Sequence, residues 1–510
     1  MQLFDFSPVR EINYKNEILA GLTVAIALVP EAIAFAFIAG VPPLVGLYAA
    51  CIMGLTTAIL GGRPGMISGA TGAIAIVLVP LIQEHGIDYL FPAVIIGGLI
   101  QIGVGLLKLG KFIRLIPHSV MLGFVNGLAI VIFLAQFSQF KVVNTSGETE
   151  WLSGNALYIM IGLVLLTMAI IHFLPKFTKV IPSALAGIIV ISAIAIGFDL
   201  NTSTVGDMAS ISGGLPSLII PDIPYNFHSF MILLPFALKI AAVGLIESLL
   251  TLTLIDEITE TRGRGNRECV AQGLGNVLSG FLGGMGGCAM IGQSMINISS
   301  NARYRLSGIV AGGALLTFIL FFGAIIEQIP IAALVGVMFM VAIGTFEWSS
   351  IRVLNKVPRV DMVIIIIVSL ITVIEDLAIA VLIGTVLAAL AFAWDNALRI
   401  RARKSVDENG VKFYEIYGPL FFGSSKTFLD KFSVKNDPDK VIIDFAESRI
   451  ADQSGLEAIR KIDEKYRKAG KSVAFRHLSK DCQQLLATAQ LNIEIDPYTD
   501  PEYQVVYDKE

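Results

Sequence analysis

The sequence predicts a polytopic α-helical membrane protein with about fourteen spanning segments and a small cytosolic α/β domain at its C-terminal end. Of the 510 residues, 55% are hydrophobic and only 15% are charged, whereas a soluble domain of this size needs a more charged surface. The mean hydropathy is +0.75. Apolar stretches of about 20 residues, the length that spans a bilayer as a helix, follow one another from Ile18 to Trp394. After Arg399, charged residues and short β-rich runs replace them.

The charged residues between the apolar segments indicate which loops face the cytoplasm, because lysine and arginine concentrate there. One set of loops is basic, with Lys108, Lys111, Arg114, Lys176, Lys179, Arg262, Arg264, Arg267, Arg303, Arg305, Arg352, Lys356, Arg359, Arg399, Arg401, Arg403 and Lys404. The loops between them are acidic or uncharged, with Glu84, Asp88, Glu148, Glu150, Glu327, Glu375 and Asp376. The pattern predicts a multi-pass protein of the inner (plasma) membrane whose N-terminus and C-terminal domain are cytoplasmic.

The same features predict the domain boundaries. The membrane domain is expected over residues 1–403 and the cytosolic domain over residues 404–510. Within the membrane domain, two halves of seven segments each are expected at about residues 15–200 and 228–399. Because seven is odd, the halves insert with opposite orientations, which is typical of inverted-repeat transporters.

Two glycine-rich runs, residues 61–72 and 283–294, support this repeat. Each opens with a glycine pair, keeps a third glycine at the same offset (Gly65 and Gly287) and leads into a short apolar segment. A helix that begins within the membrane presents unpaired backbone N–H groups and the positive end of its dipole. Two such ends can attract an anion without a buried cation. A single glycine cluster would indicate close helix packing, but a matched pair before two short helices indicates a binding site.

Two carboxylates lie inside apolar segments, Glu31 in the first and Glu247 in the eighth. A charge at this depth costs about 2.5–3.5 kcal/mol or more, so each is a candidate functional residue. Pro30 removes a helix hydrogen bond beside Glu31. Thr251 lies four residues after Glu247, on the same helix face, so the two side chains could bind one cation, either sodium or a proton on Glu247. The alternative role for each carboxylate is an interhelical hydrogen bond.

Other reactive residues form no recognisable site. The four cysteines, Cys51, Cys269, Cys288 and Cys482, lack metal-ligand spacing, and they are interpreted as small core residues. The sequence has no hydrolase triad, zinc motif or phosphate-binding P-loop, and it indicates neither an enzyme nor a nucleic-acid-binding protein. No cofactor is expected, apart from a sodium ion.

One long segment, PEAIAFAFIAGVPPLVGLYAA at residues 30–50, resembles the signature of the SulP family of secondary anion transporters. The run GLIESLLT at residues 244–251 and the run at residues 266–297 add to the resemblance, which covers essentially the whole chain. The resemblance implies a seven-plus-seven inverted repeat shared with nucleobase transporters. It also implies an elevator-like motion of a core domain against a gate domain, and a homodimer.

The resemblance also assigns roles to residues. Glu31 and Phe35 would line the anion pocket, and Glu247 with Thr251 would bind the coupling cation. The facing helix ends would be supplied by Ala70, Thr71, Gly72, Ala73, Gly292, Gln293 and Ser294. Glu31 stands where many members have glutamine, which favours a protonated Glu31 or proton coupling over simple exchange, and GQSMIN at residues 292–297 lacks the arginine of animal relatives. The match to bicarbonate transporters of the family also breaks within residues 287–294.

The C-terminal domain alternates strand-like and helix-like runs, which predicts a small α/β layer. Asp452–Ile459 resembles the loop that is phosphorylated in anti-sigma-factor antagonists, so the domain resembles the STAS type. Ser454 is therefore a candidate regulatory residue, although a plain helix N-cap is the favoured interpretation.

These features favour a secondary transporter of bicarbonate or sulfate coupled to sodium or protons. A proton-coupled dicarboxylate transporter is one alternative, and an uncoupled anion channel or exchanger is another. A nucleobase symporter would share the fold but not the residues 30–50 motif, and a membrane-anchored signalling scaffold remains a further class.

Overall fold

A computed structural model describes residues 13–111, 116–143, 149–178, 182–208, 214–353, 358–374, 377–478, 482–484, 486 and 494–495. The chain packs as two units that divide between Thr385 and Val386, and each unit is described by itself. The predicted loop charges at Arg114, Glu148, Lys179, Lys356, Glu375 and Asp376 lie outside the described residues, as do residues 1–12.

Fourteen helices of at least nine residues are present among the residues described before Arg399, which confirms the predicted number of segments. The first seven are α1 (Tyr14–Ala39), α2 (Pro43–Leu60), α3 (Gly72–His85), α4 (Leu90–Leu106), α5 (His118–Ala135), α6 (Gly154–Phe177) and α7 (Ser183–Gly197). The second seven are α8 (Phe227–Thr259), α9 (Gly265–Phe281), α10 (Ile291–Ser299), α11 (Arg305–Phe321), α12 (Ile331–Thr345), α13 (Arg359–Ile374) and α14 (Leu377–Leu398). Shorter helical turns cover Ile87–Tyr89, Gln136–Phe140, Val205–Met208, Gly323–Ile326 and Trp348–Val353.

Seven helices of the described chain are long and apolar enough to cross a membrane. Four more apolar helices, α3, α7, α11 and α12, have 14–17 residues. At 1.5 Å per residue, the 14 residues of α3 and the 9 residues of α10 are too short for the roughly 30 Å hydrocarbon core. The third helix of each half is therefore a half-helix, as the paired glycine runs predict.

Short strands precede both half-helices and join the two repeats. Strand β1 (Ser68–Gly69) precedes α3, and strand β4 (Cys288–Ala289) precedes α10. The two pair antiparallel, Ser68 with Ala289 and Gly69 with Cys288. Because the strands run in opposite directions, the helices that follow leave this crossing in opposite directions, with both N-termini beside it.

A separate hairpin lies outside this crossing, before α6. Strand β2 (Lys141–Val143) pairs antiparallel with strand β3 (Thr149–Trp151).

The second unit contains a five-stranded sheet in the order β5-β6-β7-β8-β9, which confirms the predicted α/β layer. The strands are β5 (Arg401–Val406), β6 (Lys412–Tyr417), β7 (Lys440–Glu447), β8 (Ser472–Arg476) and β9 (Glu494–Ile495), and the helices are α15 (Ser425–Leu429) and α16 (Gln453–Lys468). Strands β5 and β6 are antiparallel, and the remaining neighbours are parallel. Strand β5 begins at Arg401, before the predicted domain boundary at residue 404.

One buried carboxylate, Asp437, ties the sheet of this unit to helix α16. Its side chain accepts hydrogen bonds from Lys412 Nζ at 2.6 Å, Tyr414 Oη at 2.8 Å and Tyr466 Oη at 2.5 Å. Burial alone would raise the pKa of the Asp437 carboxyl, but these hydrogen bonds outweigh burial and lower its pKa below the usual value.

We expect Asp437→Asn to lower the free energy of unfolding of this unit by about 3 kcal/mol, because the amide removes the negative charge that pairs with Lys412 and leaves only one acceptor oxygen for three donors. Because the pKa of Asp437 is lower in the folded protein than in the unfolded chain, its carboxylate stabilises the fold at pH values above the unfolded-state pKa, near 4. This contribution is lost as the pH falls through the folded-state pKa. Thermal unfolding of the full-length protein should therefore differ most between wild type and variant near neutral pH. A difference that persists unchanged well below pH 4 would contradict this role.

Candidate functional site

The N-termini of the two half-helices carry backbone N–H groups that have no acceptor within their own helices. In α3 the first helical bond runs from Ala75 N to Thr71 O at 3.0 Å, and in α10 from Ser294 N to Met290 O at 3.1 Å. The N–H groups of residues 72–74 and 291–293 therefore precede the hydrogen-bond ladder. Both helix dipoles add partial positive charge at this place, which suits an anion.

Helix α1 contacts both of these helix ends. A Cβ atom built on Gly72 would lie 2.9 Å from Phe35 Cε1, so the Phe35 ring covers the start of α3. Glu31, one turn earlier in α1, is buried and lies beside the Gln293 side chain in the first turn of α10. Glu31, Phe35, Gly72 and Gln293 are thus brought together by the fold. Helix α1 continues through Pro30.

The two helix ends differ in their exposure. Ala70, Thr71 and Ala73 are buried beside the start of α3. Gly292 is exposed, and a Cβ atom built there has no heavy atom within 4 Å. The α10 end therefore borders open space.

We expect Gly292→Val to raise the anion KM at least about fivefold while the protein still folds. The new side chain enters open space, and a Cα–Cβ bond tilts toward the N-terminus of its helix, so the methyl groups would shield the free N–H groups. Transport kinetics in proteoliposomes measure this change. An unchanged KM would show that the α10 terminus does not contact the anion.

Ser294 lies in the first turn of α10, at the helix end that it was expected to help supply, and its role in substrate binding stays a prediction. Its hydroxyl accepts a hydrogen bond from Ile67 N at 3.0 Å and lies 3.3 Å from Ile67 O. Its own N–H is used in the first turn of α10. Ser294 therefore fastens α10 to the backbone that leads into β1.

Glu247 in α8 lies against the strand crossing. Its Oε2 accepts a hydrogen bond from Cys288 Sγ at 2.9 Å, and Cys288 Sγ lies 3.1 Å from Thr71 Oγ1. The neighbouring Ser248 accepts a hydrogen bond from Ala289 N at 3.0 Å. Interpreting Cys288 as a small core residue was therefore incomplete: the thiol is fully buried but joins a carboxylate to the start of α3.

Thr251 is buried one turn after Glu247, and its hydroxyl donates to the backbone oxygen of Glu247 at 2.8 Å. The two side chains share a helix face, as predicted. Their joint binding of sodium stays a prediction. In the described part of the chain, no group of three or more His, Cys, Asp or Glu side chains is arranged to hold a metal ion.

A buried polar stripe on α9 holds both strand-bearing loops in place, and sequence reasoning did not single it out. Glu268 Oε2 accepts a hydrogen bond from Gly62 N at 2.7 Å, and Gln272 Nε2 donates to Ser68 Oγ at 2.7 Å. Two turns after Glu268, Asn276 Oδ1 accepts from Gly287 N at 2.8 Å. The spacing of four residues was the available signal, because it places these side chains on one helix face.

In the second unit, Ser454 is not the helix N-cap, so that interpretation was wrong. Asp452 caps α16 by accepting a hydrogen bond from Gly455 N at 2.9 Å, and it also accepts from Phe422 N at 2.7 Å. Ser454 lies within the first turn and, together with Ser425 and Lys461, lines a cavity of about 590 Å³. Its phosphorylation stays a prediction.

The sequence matches the sulfate permease family over residues 14–368 and the STAS domain over residues 403–503. The chain is 42% identical to the putative sulfate transporter YbaR of Bacillus subtilis, across 93% of this chain and 96% of the relative. It resembles the solved transmembrane domain of the cyanobacterial bicarbonate transporter BicA, with 29% identity, a TM-score of 0.61, and coverage of 74% of this chain and 98% of that domain.

The solved structure of SLC26A9 shares the fold over 95% of this chain and 88% of that chain, with a TM-score of 0.79 and 16% identity. The family match covers most of the membrane domain, so the expected resemblance is confirmed. The chain therefore belongs to the sulfate permease family, as a membrane permease with a C-terminal STAS domain and not an enzyme.

Proposed function

We propose that this chain is a secondary transporter of small inorganic anions, sulfate or bicarbonate, that couples anion uptake to sodium or protons at Glu247. The observation that carries the proposal is the β1–β4 crossing, which holds two half-helix N-termini together. The relatives support the choice of anions, because one is named a putative sulfate transporter and another a bicarbonate transporter.

The electrostatics of this site suit an anion better than a neutral ligand. The N–H groups of residues 72–74 and 291–293 supply donors without a buried cation. Glu31 lies beside the α10 end, so its negative charge would oppose anion binding unless a cation or proton neutralises it. Glu247 contacts the crossing itself, through Cys288. Anion and cation are therefore proposed to bind together.

We further propose elevator-type alternating access, which the helix packing supports. One group of helices contains the site: α9 packs against α4 and α2, and α11 packs against α1 and α2. A second group is built by α13 on α5, and α12 on α6. Contacts between the groups, such as α1 with α12 and α3 with α5, are sparse among the described residues. The first group would carry the anion past the second as one body.

The charge distribution supports an orientation with the N-terminus and STAS domain in the cytoplasm. Assembly as a homodimer in the plasma membrane completes the proposal and rests on the family resemblance. Protease accessibility in sealed vesicles tests the orientation, and light scattering of the purified protein tests the dimer.

Uptake of labelled sulfate and bicarbonate into proteoliposomes tests the proposed function, with an inward sodium gradient, an inward proton gradient or no gradient. We expect one anion to accumulate above equilibrium under one of the two gradients. Protein-free liposomes set the baseline. Anion flux that follows the anion gradient alone in all three conditions would instead identify a channel or exchanger.

A further inference from the structure

A buried chain of hydrogen bonds connects Glu247 to the start of half-helix α3. Cys288 Sγ lies 2.9 Å from Glu247 Oε2 and 3.1 Å from Thr71 Oγ1. Cys288 has no exposed surface, and Thr71 is 2% exposed. This chain of hydrogen bonds joins the two repeats, because Cys288 belongs to β4 and Thr71 follows β1.

Thr71 occupies the N-cap position of α3, where a threonine hydroxyl ordinarily accepts a hydrogen bond from the first turn. It makes no such bond here. Its hydroxyl instead lies against the sulfur of Cys288. The direction of this O–H bond therefore decides what the end of α3 presents to an anion.

We propose that Cys288 is a positioning residue that transmits cation binding at Glu247 to the Thr71 hydroxyl, and so to the anion site. This inference rests on the proposed function. It assigns Cys288 and Thr71 to the coupling of anion and cation, and no other residue is needed for the link.

When no cation is bound, the charged carboxylate of Glu247 is the strongest acceptor in the chain, because charge-assisted hydrogen bonds are roughly twice as strong as neutral ones. The Cys288 S–H bond then points to Glu247, and the Thr71 O–H bond points to the sulfur. The lone pairs of Thr71 Oγ1 are left facing the end of α3, where they repel an anion.

A cation on Glu247 neutralises the carboxylate and removes the preference of the Cys288 S–H bond for it. The Cys288 S–H bond can then turn to Thr71 Oγ1, and the Thr71 O–H bond can donate to the anion beside the N–H groups of residues 72–74. Only the hydroxyl and thiol hydrogens rotate. The thiol remains reduced and protonated throughout. Because the two binding events favour each other, the coupling is reciprocal.

The test compares the anion affinity of purified variants at low and at saturating concentrations of the driving cation, by equilibrium binding of the labelled anion. In wild type we expect the affinity to rise at least about fivefold with the cation, the lower end of usual coupling. Cys288→Ala and Thr71→Val should each reduce this change to less than about twofold. Cys288→Ser, which keeps one donor and one acceptor, should restore it.

Non-additivity provides a further readout, because residues in one chain should not act independently. The double variant of Cys288→Ala and Thr71→Val should show the same residual coupling as either single change. Cys269→Ala is the matched control, since Cys269 is also fully buried but lies in an apolar cluster with Leu245 and Leu249. It should keep the coupling of wild type.

Wild-type coupling in both Cys288→Ala and Thr71→Val would overturn the inference while leaving the proposed function intact. Absence of any cation effect in wild type would overturn both. If Cys288→Ala fails to fold, the Thr71→Val variant alone tests the inference, because valine matches threonine in size and leaves the thiol in place. A lowered maximal rate with an unchanged cation effect would show a merely structural role and would also overturn the inference.

Discussion

Replacing Glu247 with glutamine is expected to abolish cation-driven accumulation of the anion while anion exchange without a gradient continues. Glutamine has nearly the same size, and its amide oxygen can still accept the hydrogen bond from Cys288, so the strand crossing should persist. Glutamine has no charge for a cation to neutralise, so cation-driven accumulation should be lost while anion exchange remains. We expect accumulation under the driving gradient to fall by at least about tenfold, within the range of usual coupling energies.

The matched control is Glu257→Gln, because Glu257 lies on the same helix but is exposed. This variant should accumulate the anion as wild type does. Labelled-anion uptake and counterflow, measured on the same proteoliposome preparations, separate coupling from exchange. Full accumulation by Glu247→Gln would remove Glu247 from the coupling mechanism.

Gly287→Ala is expected to have the largest effect on folding of any single methyl addition discussed for this chain. A Cβ atom at Gly287 would lie 1.9 Å from the carbonyl oxygen of Gly69, which is backbone and cannot rotate away. The pairing of β1 with β4 would therefore break. The cost should exceed the roughly 1–3 kcal/mol of ordinary overpacking. Loss of monodisperse protein in gel filtration, together with loss of transport, measures this effect.

Gly162→Ala provides the control for the same chemical change in a helix. Nothing lies within 4 Å of a Cβ atom at Gly162 in α6, and alanine favours a helix over glycine by up to about 1 kcal/mol. This variant should be at least as stable as wild type. A well-folded, active Gly287→Ala protein would show that the crossing is not required for the site.

The sequence alone was sufficient to predict the half-helices, because their signal is local. A glycine run followed by a truncated apolar segment occurs twice. Helix α3 begins at Gly72, the end of the first run, and α10 begins at Ile291, within the second. The glycines of the two runs correspond less closely than their offsets suggest. Gly65 and Gly287 lie at the same offset, but the glycines with positive φ in the second run are Gly283 and Gly286, both at +78°, against +82° at Gly65. Sequence offset does not reveal which glycine turns the chain.

The contacts of Glu31, Phe35 and Glu247 could be anticipated only in part. Depth in apolar segments marks Glu31 and Glu247 as candidates, and the family resemblance adds Phe35. The structure places Phe35 against Gly72 and Glu31 beside Gln293. The partner of Glu247 could not be anticipated, because Cys288 looks like a small apolar residue in the sequence. Its role arises from a strand pairing between residues more than 200 positions apart.

The first residue of helix α16, near Ser454, could not be predicted from the sequence. Both Asp452 and Ser454 are good N-cap residues, and the sequence around them does not say where α16 starts. The helix begins at Gln453 because Asp452 is fixed by a second hydrogen bond, from Phe422 N in the loop between β6 and α15. That contact depends on the fold of the domain and not on local propensity.

The central claim is that a small anion binds between the N-termini of α3 and α10. Anomalous diffraction from crystals soaked in parallel with selenate, a heavier analogue of sulfate, and with bromide locates the anion directly. We predict a peak within hydrogen-bonding distance of the N–H groups of residues 72–74 or 291–293 in at least one soak, and its loss in Gly292→Val. Peaks found only beside exposed arginines, with none at the helix ends, would contradict the claim.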